Sequence, residues 1–118
     1  MKIQKVAVLG STGSVGTQTM DVVRDMGLSV SLLSAWSNLD VLTEQIRAVR
    51  LDTVFVKDKA SADALKERLG SHMPRCIWKQ EELLEAIAPN TAIVVEPGYY
   101  NLSEFIEDTW LYESEQWN

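Results

Sequence analysis

The sequence predicts an α/β domain, a three-layer parallel sheet of about five strands with helices on both faces. Three observations carry that expectation. Short apolar runs alternate with amphipathic stretches, and the turns between them are short. A glycine-rich turn, Gly10-Ser11-Thr12-Gly13-Ser14-Val15-Gly16, follows the first apolar run and opens the first amphipathic stretch. Alternation of this kind gives parallel strands joined by right-handed crossovers that lay helices against the sheet.

Lys5-Val6-Ala7-Val8-Leu9 is an apolar run ending at glycine, the pattern of a parallel strand buried on both faces. After the glycines, Val15, Met20, Val22, Val23 and Met26 mark the apolar side of a helix that Gly27 closes as a left-handed cap. Leu28 to Ala35 reads as a second strand. Ser37, with Asp40 three residues on, makes a capping-box-like start for a helix facing inward through Leu42, Ile46 and Val49. Thr53-Val54-Phe55-Val56 is a third strand. Asp58 caps the helix after it, whose Ala62, Leu65 and Leu69 share one side and whose stop is Gly70. Arg75 to Lys79 is a fourth strand with a loose start, because Gly70, His72 and Pro74 precede it. Glu81 to Ala88 is a short helix using Leu83, Leu84 and Ile87. Pro89-Asn90 then turns the chain into Thr91-Ala92-Ile93-Val94-Val95, the fifth strand, which Pro97-Gly98 ends. Asn101 with Glu104 opens a last helix carrying Leu102, Phe105, Ile106 and Trp110.

The 118 residues amount to a single domain, 1–118, in which 98–118 forms an acidic helix or tail. The lone Cys76 rules out an intramolecular disulfide and fits a reducing cytosol, so a cytoplasmic location is expected. No apolar run approaches the ~20 residues of a membrane span. The stretch behind Met1-Lys2-Ile3-Gln4-Lys5 is too short for a signal-peptide core. The net charge of −6 is unevenly placed: residues 1–79 hold all 11 Lys and Arg against 8 acids, and residues 80–118 hold 9 acids and no base. The acidic end is either a solvated face or a surface that docks on a basic partner or a second copy. A net-acidic chain with no basic tract argues against nucleic acid as the main ligand.

The glycine turn stands where a dinucleotide fingerprint requires it, after a strand and before a helix. Gly10 permits the tight turn off the strand, Gly13 lets backbone approach a pyrophosphate, and Gly16 allows close helix–strand packing. Backbone N–H groups and the positive end of the helix dipole favour a phosphate there, and Thr12 and Ser14 add hydroxyl donors. No Gly-Lys-Ser/Thr ending follows, which argues against a Walker-type triphosphate loop. The end of the second strand selects the dinucleotide. An acid there would bind the ribose hydroxyls of NAD and repel a 2′-phosphate. The sequence has Ser34-Ala35-Trp36-Ser37-Asn38 and no acid until Asp40, which favours NADP. Ser37 either donates to that phosphate or only caps the second helix. Trp36 either stacks on adenine or packs in the core, the core being slightly favoured.

These residues together resemble the deoxyxylulose-phosphate reductoisomerase family. The resemblance runs through Val6 to Gly16, Thr19, Asp21-Val22-Val23, Ala35, Asn38 and Leu42-Thr43-Glu44-Gln45. It continues in Val54-Phe55-Val56-Lys57-Asp58, Ala62 and Leu65-Lys66. It covers about residues 4–70 well, holds only in pattern to 97, and stops at Pro97-Gly98. The resemblance implies a Rossmann-like NADPH-binding domain of an isoprenoid-precursor oxidoreductase. It assigns the pyrophosphate to Thr12, Gly13, Ser14 and Val15 and the adenosine 2′-phosphate end to Trp36, Ser37 and Asn38. Trp36 stands where the family usually has glycine, and Ser37 where it often has a base. The family's enzymes are several times longer, with metal-binding carboxylates and substrate-phosphate residues in other domains, so this chain alone is expected to hold NADPH without a metal and without catalysing the reaction.

No second site emerges from the remaining residues. His72 is a lone loop histidine, Cys76 reads as a small buried hydrophobe without a base beside it, and Glu81, Glu82 and Glu85 form a solvated helix side. Glu96, Tyr99 and Tyr100 follow the fifth strand and either approach the cofactor or pack the last helix. The contrasting expectation is a non-catalytic interaction module that kept the fold and lost the cofactor, docking through the segment that ends in Tyr112 and Trp117.

Overall fold

Each strand alternates its side chains between two apolar layers. In the computed structural model, which describes residues 5–87 and 91–95, β1 (Lys5–Leu9) sends Val6 and Val8 to one side and Ala7 and Leu9 to the other, and all four are buried. A strand covered on both sides must be apolar throughout, which explains the unbroken run. α1 (Ser14–Met26) returns the chain to β2 (Ser29–Ser34), and α2 (Leu39–Ala48) leads to β3 (Arg50–Phe55). α3 (Lys59–Leu69) leads to β4 (Arg75–Ile77), and one helical turn, α4 (Leu83–Ala86), precedes β5 (Thr91–Val95). All pairings are parallel, in the order β4-β3-β2-β1-β5.

The chain thus steps one way from β1 to β4 and then returns to the far side of β1. Right-handed crossovers in one direction put α1, α2 and α3 on one face, and the reversal puts α4 on the other. The two cores follow this division. Met20, Val23, Leu42, Ile46, Ala62, Leu65 and Leu69 close over Val6, Val8, Val30, Leu33 and Val54. Leu83 lies with Ala7, Leu9, Leu32, Phe55 and Ile77. The Rossmann-like layering is present with unequal faces, three helices on one and a single turn on the other among the described residues.

Helix ends follow the local signals. Gly27 (φ +64°) and Gly70 (φ +56°) stop α1 and α3. Asp58 Oδ1 accepts from the Ser61 N–H at 2.8 Å and caps α3. Three expectations need correction. The cap of α2 is Asn38, whose Oδ1 accepts from Val41 N at 3.2 Å, and not Ser37. An N-cap carboxamide reaches the third helical N–H, and it is Asn38, not Ser37, that stands three residues before Val41. On α1 only Gly16, Met20 and Val23 are buried, while Val15, Val22 and Met26 are exposed. At 3.6 residues per turn those two sets form separate stripes roughly 100° apart, and only one can face the sheet. β3 begins at Arg50 and β4 stops at Ile77, because pairing with neighbours extends one strand and curtails the other. Glu96, Tyr99, Tyr100 and the helix expected from Asn101 lie outside the described residues.

Candidate functional site

The strand order reverses at β1, which lies between β2 and β5, and open α/β sheets bind ligands beyond the C-terminal strand ends at such a point. Gly10–Gly16 lies at this end. Gly10 has φ +81°, a conformation that lets the chain turn sharply off Leu9 and that side chains disfavour. Gly10 N and Ser11 N both donate to Ser34 O at 2.9 Å, and Gly10 N also lies 3.1 Å from Ser34 Oγ. Gly13 N donates to Gly10 O at 3.2 Å and closes the turn, and Thr17 N to Gly13 O at 2.8 Å begins the helical ladder. A Cβ on Gly16 would stand 2.2 Å from Gly10 O and 2.7 Å from the Ser11 backbone. Helix α1 therefore packs directly on the turn, which only a glycine allows.

The turn divides into a buried base and an outer rim. Gly10, Ser11 and Gly16 are buried, Thr12 and Gly13 are half-buried, and Ser14 and Val15 are exposed. The Ser11 carbonyl accepts from Gln45 Nε2 of α2 at 2.7 Å. Ser11 Oγ and Gln45 Oε1 beside that bond are buried without a hydrogen-bond partner.

Because β1 and β2 run parallel, with Leu9 opposite Ser34, the residues after β2 share the rim with the turn. Ala35 is buried and donates to Phe55 O at 3.2 Å, after which Trp36, Ser37 and Asn38 emerge exposed. Trp36 is 42% exposed, which corrects the expectation that it packs in the core. Asn38 spends its carboxamide oxygen on the α2 cap, leaving the donor end of the amide as the group suited to an anion. The nine residues singled out from sequence thus fall in two segments at one end of the sheet. Ser34 and Gln45 were missed. Their signals are a small polar residue closing a buried strand and a polar residue inside the Leu42–Ile46 apolar stripe.

The other candidate groups are chemically quiet. Burial, and secondarily the Asp63 charge, push the Cys76 thiol up to about 11, so it stays protonated at neutral pH. His72 is exposed in the turn Gly70–His72, and it lines a concavity of about 490 Å³ with Ile46, Arg47, Val49, Leu51 and Pro74. That concavity lies at the N-terminal ends of the strands, away from the glycine turn. Among the described residues no group of three or more His, Cys, Asp or Glu could hold a metal ion, and no helix is long and apolar enough to cross a membrane.

Comparison with known proteins gives one consistent family. A family model described as 1-deoxy-D-xylulose 5-phosphate reductoisomerase matches residues 6–100. Similar proteins of that description include those of Chlorobium phaeobacteroides, 44% identical over 78 residues (64% of this chain, 20% of the relative), and Chlorobium limicola, 37% over 95 residues (79% and 25%). The chloroplastic protein of Mentha piperita is 35% identical over 97 residues (79% and 21%). Among solved structures, the reductoisomerase of Zymomonas mobilis in complex with NADPH superposes with a TM-score of 0.63 at 26% identity, covering 72% of this chain and 23% of that one. The chain spans about a fifth to a quarter of the length of these relatives.

Proposed function

The chain belongs to the 1-deoxy-D-xylulose 5-phosphate reductoisomerase family, and from that premise we propose that it is an NADPH-binding domain whose site is the rim formed by Gly10–Gly16 and Trp36–Asn38. The observation that carries the proposal is the turn at the β1–α1 junction, seated at the reversal point of the sheet with α1 in contact with it across Gly16. Its residues suit a dinucleotide: the backbone comes forward without side chains in the way, and the helix N-terminus favours a pyrophosphate. Thr12 and Ser14 supply hydroxyls beside Gly13 and Val15. Ser37 and Asn38 are neutral donors suited to a 2′-phosphate, and exposed Trp36 offers a face for adenine.

NADPH would supply a hydride. The residues of this chain bind and orient the dinucleotide. The substrate and metal groups of the family's reaction would come from outside the present sequence, so the chain by itself is not a catalyst in this reading. Cytoplasmic residence belongs to the same reading, supported by a single cysteine that can form no intramolecular disulfide.

Calorimetric titration with NADPH and with NADH tests the proposal. Binding of NADPH on the order of micromolar, with NADH weaker, is the expected result. Absence of heat from both would put the non-catalytic interaction module in its place.

A further inference from the structure

We propose that Gln45 is a positioning residue of the dinucleotide site, aiming the Thr12 N–H outward and tying the glycine turn to the helix that carries Asn38. The inference rests on the reading of Gly10–Gly16 as that site. Gln45 lies on the inner face of α2 between Leu42 and Ile46 and is only 8% exposed. A carboxamide in such a place is costly unless bonded. Its Nε2 donates 2.7 Å to the Ser11 carbonyl, a partner 34 residues away in sequence.

The geometry of the peptide unit makes this bond directional. In a trans peptide the carbonyl of one residue and the N–H of the next point opposite ways, and the described chain has no cis bond. With the Ser11 oxygen turned in toward α2, the Thr12 N–H must turn away from it. The two preceding N–H groups, of Gly10 and Ser11, are held inward on Ser34. Gln45 therefore governs the peptide at which the turn switches from facing its own sheet to facing out. The same side chain stands seven residues after Asn38, about two helical turns or ~10.5 Å along the axis. One rigid helix thus spaces the pyrophosphate end of the rim from its adenosine end.

The test compares Gln45→Met with Thr43→Val in the full 118-residue chain. Thr43 is equally buried on the same helix, but its hydroxyl donates only to Leu39 O, within the helix. Two quantities are read well below the melting temperature: amide hydrogen exchange across residues 11–17 without ligand, and the dissociation constants of NADPH and NADH. Gln45→Met should speed exchange in the turn and weaken NADPH about tenfold, with NADH weakened by the same factor because the pyrophosphate is common to both. Thr43→Val should change neither. Equal exchange and equal affinities in the two variants would overturn the inference, leaving Gln45 a packing residue. Should Gln45→Met fail to fold, Gln45→Asn, one methylene shorter, takes the donor out of reach of the Ser11 carbonyl without burying a charge. The exchange measurement reads the tether without NADPH, so a wild-type chain that ignores both dinucleotides would overturn the proposed function separately.

Discussion

The two rims of the sheet invite comparison. At the C-terminal rim the chain makes a tight turn at Gly10, seats a helix on it with no room for a Cβ at Gly16, and ties it down through buried bonds from Ser34 and Gln45. At the N-terminal rim there is space: about 490 Å³ beside His72 and Pro74 and about 310 Å³ among Arg24, Arg47 and Arg50. Its polar groups make surface contacts, Arg50 to Gly27 O at 3.3 Å, Arg47 to Arg68 O at 3.1 Å, and Arg24 to Asp21 and Asp25. Exposed pairs of this kind contribute little and are screened by salt. Cavity volume alone would point to the N-terminal end. What distinguishes the candidate site is backbone held in a demanding conformation by buried partners, the condition for presenting N–H groups to an anion without reorganisation.

Substitution of one glycine at each rim gives the widest separation. Gly16→Ala drives a methyl into Gly10 O, and the neighbours it meets are backbone that cannot swing aside. A loss of about 3 kcal/mol is expected, at the upper end of overpacking costs, together with loss of NADPH binding. Gly27→Ala meets nothing within 4 Å and suffers only from φ +64°, so it should cost about 1–2 kcal/mol and leave binding intact. Urea unfolding paired with calorimetry measures both. If the two variants lose equal stability and equal affinity, close packing at Gly16 is not what marks the site.

A smaller effect is expected at Asn38. Asn38→Ala removes the α2 cap, for about 1 kcal/mol of stability, and it removes an amide donor from the adenosine end. NADPH should weaken more than NADH, in contrast to the equal losses expected from Gln45→Met. A titration showing the same factor for both dinucleotides would take Asn38 out of the 2′-phosphate reading.

The smallest expected change is at Asp58, which caps α3 at the C-terminal end of β3, two strands away from the glycine turn. The Ser61 backbone N–H, and then its hydroxyl, hold the Asp58 carboxyl below its ordinary value of 3.8. The folded chain therefore protonates this group at lower pH than the unfolded chain does. Its contribution is complete above the ordinary value and is lost as pH falls through the folded one. Asp58→Asn keeps an acceptor for the cap and removes the titration, so the acid limb of stability below about pH 4 should flatten slightly. Urea midpoints across that range check it, and an unchanged acid limb would show that the cap does not feel protonation.

Sequence and tertiary structure divided the work along physical lines. Periodicity, caps and glycines act over a few residues, and they alone determined the α/β class, five parallel strands, the stops at Gly27 and Gly70, the Asp58 cap and the glycine turn. The same residues from Val6 to Lys66 carried the family resemblance, and the two segments of the candidate site were named from them. Three matters depended on what lies beside a residue in space. Helix α1 has two apolar stripes, and only its placement on the sheet chose Gly16, Met20 and Val23 over Val15, Val22 and Met26. Trp36 has the composition of a core residue, and the buried Ala35 before it turned it out to the rim. Ser34 and Gln45 reach the turn across 24 and 34 residues of chain. Local pattern records a residue's preference for burial or for a turn, but a bond between distant residues exists only once the sheet has set its strands side by side.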